Sequence, residues 1–197
     1  MKKQIVGFSV VVILLLSIPV YAGVALDTVQ ANVNKVFEVL RDPKLKPEAA
    51  KEIKKEKLRS IYNGMFDEVE LSKRTLTRNW NKLNDVQRQE FVQLFHQVLE
   101  KAYVDKILSY TNEKVVFYKE NMISQNQVEV QTKIITSSKE IPIAYRTILV
   151  NGTWKVYDVV IENVSMVMNY RTQFNDILAK NTPEQLLEIL RKKVKAQ

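Results

Sequence analysis

The chain has 197 residues, of which 46% are hydrophobic and 26% charged, enough for one domain with a substantial core. It has no cysteine, which excludes disulfides, thiolate nucleophiles, Cys-bound zinc and a lipid-modified N-terminal cysteine. Only Gly64 and Gly152 lie beyond the first 25 residues, and no GxGxxG or P-loop pattern occurs, so Gly-rich phosphate loops are excluded as well.

Residues 1–22 read as a signal peptide. Lys2 and Lys3 form a charged start, Ile5 to Val20 is an apolar run, and small residues follow at Ala22 and Ala25, so cleavage is expected after 22 or after 25. The rival reading is an uncleaved anchor, because about 18 apolar residues approach the minimum for a span. Pro19 and the small residues favour export with cleavage, so function is sought outside the cytoplasm, where ATP and nucleic acid are poor ligands. Without Lys2 and Lys3, 28 of the 30 Lys and Arg face 22 Asp and Glu. That excess suits either a solvated mixed-charge surface or attraction to anionic head groups and acidic partners.

Residues 23–197 read as a single domain. In the segment Asp27 to Leu40, Val29, Val33, Val36, Phe37 and Leu40 recur at helical spacing. Pro43 and Pro47 end that helix, and Pro47 opens a second whose Lys-rich middle, Lys51 to Lys57, is expected to face solvent. Asp67 is placed to cap a third helix, with Leu71, Leu76, Trp80 and Leu83 toward the core. Asn84 and Gln87 form a capping-box pattern for the longest helix, whose stripe runs through Phe91, Leu94, Phe95, Val98, Leu99 and Ala102. Beyond Ala102, Tyr103, Val104, Ile107 and Leu108 spread around the circumference, which suits a core or a cavity wall.

The pattern then turns to β. Val115 to Tyr118, Val128 to Thr136, Ile141 to Val150 and Thr153 to Glu162 predict a four-stranded antiparallel meander, with Asn151-Gly152 as a type I′ hairpin turn. Strict alternation puts Trp154, Val156, Asp158 and Val160 on one side of the last strand and Lys155, Tyr157, Val159 and Ile161 on the other. Apolar groups on both sides imply that both are covered or line something other than water. Ser165 is a candidate cap for a helix carrying Val167, Tyr170, Phe174 and Leu178; Thr182 and Pro183 open the last one, with Leu186, Leu187, Ile189 and Leu190 inward. The fold class is therefore α+β: a helical part at about 27–110 and 165–195 packed on a sheet part at about 114–162.

Two side chains invite a catalytic reading. His96, the only histidine, cannot build a His-rich metal site, and a structural role is expected of it. Asp158, in mid-strand, suits a general base in a polar pocket or an ion pair with Arg146 or Lys155; the pair is favoured because no nucleophile or oxyanion donor accompanies it.

The run Trp154 to Glu162 (WKVYDVVIE), then Val164-Ser165 and Asn169 to Phe174 (NYRTQF), resembles the signature of the MlaC family, periplasmic phospholipid carriers also known from toluene tolerance. Leu71 to Arg74, Trp80, Leu83, Gln87 to Gln89, Phe91, Leu94-Phe95, Leu99 and Tyr103 extend the likeness, which covers most of Asp27 to Arg191. The chain departs from the pattern at Asn84-Asp85, where Thr-Pro is commoner, and at Thr77 and Asn163, where glycine often stands.

The resemblance implies a twisted sheet, NTF2-like, wrapped by helices around an apolar cavity. It implies a non-enzymatic carrier without cofactor, whose ligand is a phospholipid exchanged between an outer-membrane lipoprotein complex and an inner-membrane ABC transporter complex with MCE components. On that reading the lipid-binding residues are Phe95, Leu99, Tyr103, Ile107, Tyr145, Val156, Val160, Tyr170 and Phe174, with Met166 and Met168 as adaptable fillers. Arg146 and Arg171 are either near the head group or plain salt-bridge partners. The alternatives are a periplasmic enzyme of NTF2-like shape centred on Asp158 and a hopanoid-associated carrier of the same family.

Overall fold

A computed structural model describes residues 23–110 and 113–196; the expected leader lies outside them. Helix α1 (Val24–Arg41) leads through two short 3-10 turns, Pro43–Leu45 and Glu48–Ala50, to α2 (Lys51–Met65). Helix α3 (Glu68–Leu76) continues into a 3-10 segment, Thr77–Lys82, and then the 24-residue α4 (Asp85–Leu108). Strands β1 (Lys114–Ser124), β2 (Gln127–Ile135), β3 (Glu140–Val150), β4 (Thr153–Ile161) and β5 (Val164–Ser165) follow, and α5 (Met166–Leu178) and α6 (Pro183–Ala196) close the chain.

The caps are where short polar side chains precede apolar periodicity. Asp67 accepts from Glu70 N–H at 2.9 Å, and Asn84 and Gln87 satisfy each other's backbone nitrogens reciprocally. Thr182 and Gln185 repeat that box before Pro183.

The sheet is an open antiparallel meander in the order β1-β2-β3-β4-β5. It has five strands, not four. Glu162 and Asn163 both adopt positive φ, 48° and 67°, so the chain reverses in two residues and Val164-Ser165 pairs back on Ile161 and Val160. The Asn151-Gly152 turn has the expected positive φ at both positions.

A second correction concerns which side chains share a face. Arg146 pairs with Asp158 but Thr147 pairs with Val156, so Tyr157 is an extra residue in β4, a β-bulge. Alternation restarts beyond it. Trp154 and Val156 consequently share a face with Val159 and Ile161, while Asp158 and Val160 lie on the other, with Arg146 and Glu129. One face is thus almost wholly apolar, with Val128, Val130, Thr132 and Ile134 buried on β2. Thr132 is compatible with that face because its hydroxyl donates to the Ile143 carbonyl at 2.9 Å. The opposite face carries the charges and is only half-buried along β2.

Two apolar cores result. One is helical, from α3, α4, α5 and α6, and contains Leu71, Phe91, Phe95, Tyr170, Phe174 and Leu187. The other joins α1 to the sheet through Ala25, Val29, Val33, Val128, Val130, Trp154 and Val156. Phe66 and Val159 pack against both. Phe66 is pinned there by a parallel bridge to Val156, with Asp67 N–H donating to the Val156 carbonyl at 2.9 Å.

Candidate functional site, an apolar pocket between the sheet and three helices

Phe66 and Val159 bridge the two cores, and beside them a pocket of about 270 Å³ remains. Each wall follows from an element already described. Helix α1 supplies Val33, Val36, Phe37 and Leu40 from its apolar stripe, and α2 supplies Leu58, Ile61, Tyr62 and Met65. Helix α4 contributes Leu99, Tyr103, Val104 and Ile107, the stretch in which its apolar residues spread beyond one stripe. The floor is the apolar sheet face: Ile134, Ile141, Ile143, Tyr145, Val159 and Ile161.

Polar groups enter the wall at few places. Tyr62 stacks on Phe66 at 4.3 Å between ring centroids and meets His96 edge-on at 5.0 Å. Burial, and then the Glu68 carboxylate, hold the Tyr62 hydroxyl well above the ordinary phenol range. Burial, with Tyr110 nearby, pushes Tyr145 up to about 12, and burial also raises Tyr103. All three phenols therefore stay neutral at physiological pH, as an apolar wall requires.

The charges on the wall, Lys55, Arg59, His96, Glu100 and Lys106, come from α2 and α4 alone. Arg59 forms a fork with Glu100 that ties α2 to α4. His96 Nδ1 lies 2.6 Å from Glu68 Oε1 and its Nε2 3.6 Å from Glu100, so the imidazole joins α3 to this pair. The adjacent Glu68 carboxylate raises the His96 pKa above its ordinary value, against the opposing effect of burial. Among the described residues no group of three or more His, Cys, Asp or Glu side chains is placed to hold a metal ion.

Leu99, Tyr103, Ile107 and Tyr145, assigned to the wall from sequence, are on it; Met166 is too. Phe95, Val156, Val160, Tyr170 and Phe174 do not line it. Phe95 is filled against Tyr170 and Phe174 by edge-to-face contacts at 4.9 and 5.2 Å in the helical core. Val156 is buried under α1, and the bulge turns Val160 to the opposite face.

Arg146 and Arg171 do not line the pocket either. Arg146 lies on the far side of the sheet, bonded to Glu129 at 3.0 Å and Asp158 at 3.2 Å. Arg171 donates to the Arg74 carbonyl at 3.0 Å and contacts Met168. Asp158 also accepts from the Ser165 hydroxyl at 2.6 Å and Val167 N–H at 3.0 Å. Its oxygens are thus committed to Arg146 and to the first turn of α5, and it does not line the pocket.

Sequence reasoning missed the contributions of α1, α2 and the Val159–Ile161 side of β4. The α1 stripe was visible, with nothing to say that it faced a void. For β4 a signal existed: a carboxylate at 158 breaks an otherwise apolar alternation, as a bulge does.

Comparison with known proteins agrees with this architecture. The phospholipid-binding protein from Ralstonia solanacearum, solved in complex with a phospholipid, superposes with a TM-score of 0.79 at 20% identity, over 87% of this chain and 97% of that one, and so shares the fold. The intermembrane phospholipid transport system binding protein MlaC of Haemophilus influenzae is 28% identical over 106 residues, 51% of this chain. The chain thus spans about half of that relative's length, 50%. The family model described as MlaC protein matches residues 30–192, most of the chain. This chain therefore belongs to the MlaC family.

Proposed function

We propose that the protein is a soluble periplasmic phospholipid carrier that seats acyl chain in the pocket and moves lipid between an outer-membrane lipoprotein complex and an inner-membrane ABC transporter complex. The observation that supports this most directly is the unfilled apolar pocket between the two cores, lined from α1, α2, α4 and the sheet. A diacyl lipid has on the order of 30 methylenes, each worth about 0.8 kcal/mol, so crossing water bare costs more than roughly 20 kcal/mol. A pocket with neutral phenols and no buried free charge replaces the bilayer for that passage. The head group stays at the rim, where Lys55, Arg59 and Lys106 are the cations among the lining residues.

The membership of the chain in a family of phospholipid-binding transport proteins supports the same reading. The enzymatic alternative loses its principal support, since Asp158 is saturated by Arg146, Ser165 and Val167 and faces away from the pocket.

Native mass spectrometry of protein purified from a membrane-containing host tests the proposal. The expected result is an intact particle carrying one phospholipid mass, whose fragments also tell glycerophospholipid from hopanoid. A particle without lipid that takes up none from liposomes overturns it.

A further inference from the structure

The first turn of α1 is held by a residue distant in sequence. The Glu120 carboxylate, on β1, accepts from the Gly23 nitrogen through Oε1 at 3.2 Å and from Leu26 N–H through Oε2 at 2.9 Å. Within the turn, Asp27 N–H donates to the Gly23 carbonyl at 2.8 Å and the Thr28 hydroxyl to the Val24 carbonyl at 2.7 Å. Ala25 is fully buried, in the core that holds Val29, Val33 and Trp154. Residues 23–25 are therefore part of the folded domain.

We infer that the exported chain is cut between Ala22 and Gly23, and that Glu120 binds the new α-ammonium group of Gly23. The inference rests on the export reading above. The step is hydrolysis by a signal peptidase: water adds across the Ala22–Gly23 amide, Ala22 leaves as a carboxylate and Gly23 as an ammonium. An ammonium there meets the positive end of the α1 dipole and is repelled by it. Glu120 is the counter-charge to both, and its hydrogen bond to Gly23 becomes charge-assisted on cleavage.

The alternative cut, after Ala25, sets a Leu26 ammonium against the other Glu120 oxygen. It also deletes Ala25 from the core and removes the carbonyls of Gly23 and Val24 that Asp27 and Thr28 use. The small-residue rule allows both cuts; packing selects the first.

The test starts from the full-length precursor, expressed in a Gram-negative host and recovered from the periplasm for N-terminal sequencing and lipid analysis. The expected start is Gly-Val-Ala-Leu-Asp. A start at Leu26 with lipid still bound overturns the inference and leaves the carrier reading standing; a start at Met1 or Lys2 means an uncleaved leader and overturns the inference, and absence of the protein from the periplasm overturns export with it. The pairing is read separately, from the pH dependence of acylation of the terminal amine in the mature protein. Its apparent pKa is expected above the ordinary range of about 7.7–8.0 by on the order of one unit, and back within that range in Glu120→Gln, which keeps the size and one acceptor oxygen. Identical titrations in the two proteins overturn the pairing.

Discussion

The helical core and the sheet-side pocket are built from the same residue types, Leu, Val, Ile, Phe and Tyr, yet one is full and the other is not. In the first, Phe91, Phe95, Tyr170 and Phe174 come from two helices and meet edge-on, with centroids 4.9 to 5.3 Å apart across the interface. In the second, α1, α2 and α4 stand around the apolar face of the sheet and leave about 270 Å³ between them. Side chains facing a void forgo the dispersion contacts that close packing supplies. The difference teaches that composition specifies burial, while how closely the surrounding elements approach one another decides whether side chains fill the space.

The strongest way to break the comparison is to exchange the consequences of mutation. Phe95→Ala leaves a cavity among rigid aromatic neighbours and is expected to cost about 3–5 kcal/mol of stability, read by denaturant titration, with lipid retention per folded molecule unchanged. Tyr103→Glu acts in the opposite sense. Its side chain is on the pocket wall and already half-exposed, so the fold is expected to persist while a carboxylate facing the acyl chain lowers lipid retention by at least about tenfold, read by native mass spectrometry. A folded Phe95→Ala protein without lipid, or a folded Tyr103→Glu protein with its full complement, would show that the two regions are not functionally distinct.

Much of this division was legible in the sequence. The α4 stripe identified Phe91, Phe95, Val98 and Leu99 as buried, and the spread of apolar residues after Ala102 marked where the wall begins. Capping side chains at Asp67, Asn84, Ser165 and Thr182 fixed the helix starts, because each is a local hydrogen bond. What could not be read is long-range: that α5 packs Tyr170 and Phe174 into α4 and away from the sheet, and that α1 and α2 close the pocket. The bulge at Tyr157 shows the cost of a local error, since one extra residue exchanged Val160 for Val159 and Ile161 at the pocket floor.

The seam between the regions is ionic. His96 on α4 faces Glu68 on α3, Glu100 on its own helix, and Arg59 and Tyr62 on α2. Because its folded pKa is raised by Glu68, the stabilisation it gives is complete below the unfolded value of about 6.5 and is lost as pH rises through the higher folded value. The midpoint of thermal unfolding is therefore expected to fall over that interval, and the fall to disappear in His96→Gln. If His96→Gln leaves the pH profile unchanged, the seam does not depend on this imidazole.

The smallest expected effect is a gain, and it sharpens the comparison by touching only the closed region. Thr77, the first residue of the 3-10 segment and the C-cap of α3, adopts φ 50° and ψ −124°, a conformation that a β-branched residue enters only under strain. Its side chain is exposed, so removing it forfeits no packing. Thr77→Gly should therefore stabilise by about 1 kcal/mol, relief of a strain of order 1–3 kcal/mol being offset in part by the freedom glycine has in the unfolded chain. For a domain of this size that is a rise of roughly 2–4 °C in unfolding midpoint. Asn163 supplies the contrast: its φ of 67° is one that asparagine tolerates, so Asn163→Gly should change the midpoint less. Equal shifts at both positions would mean that backbone permissiveness, not the β-branch of Thr77, sets the strain. A change in lipid retention on Thr77→Gly would mean that the helical core and the pocket are mechanically coupled through α3, the helix whose last residue Leu76 is buried in that core and whose Glu68 contacts His96.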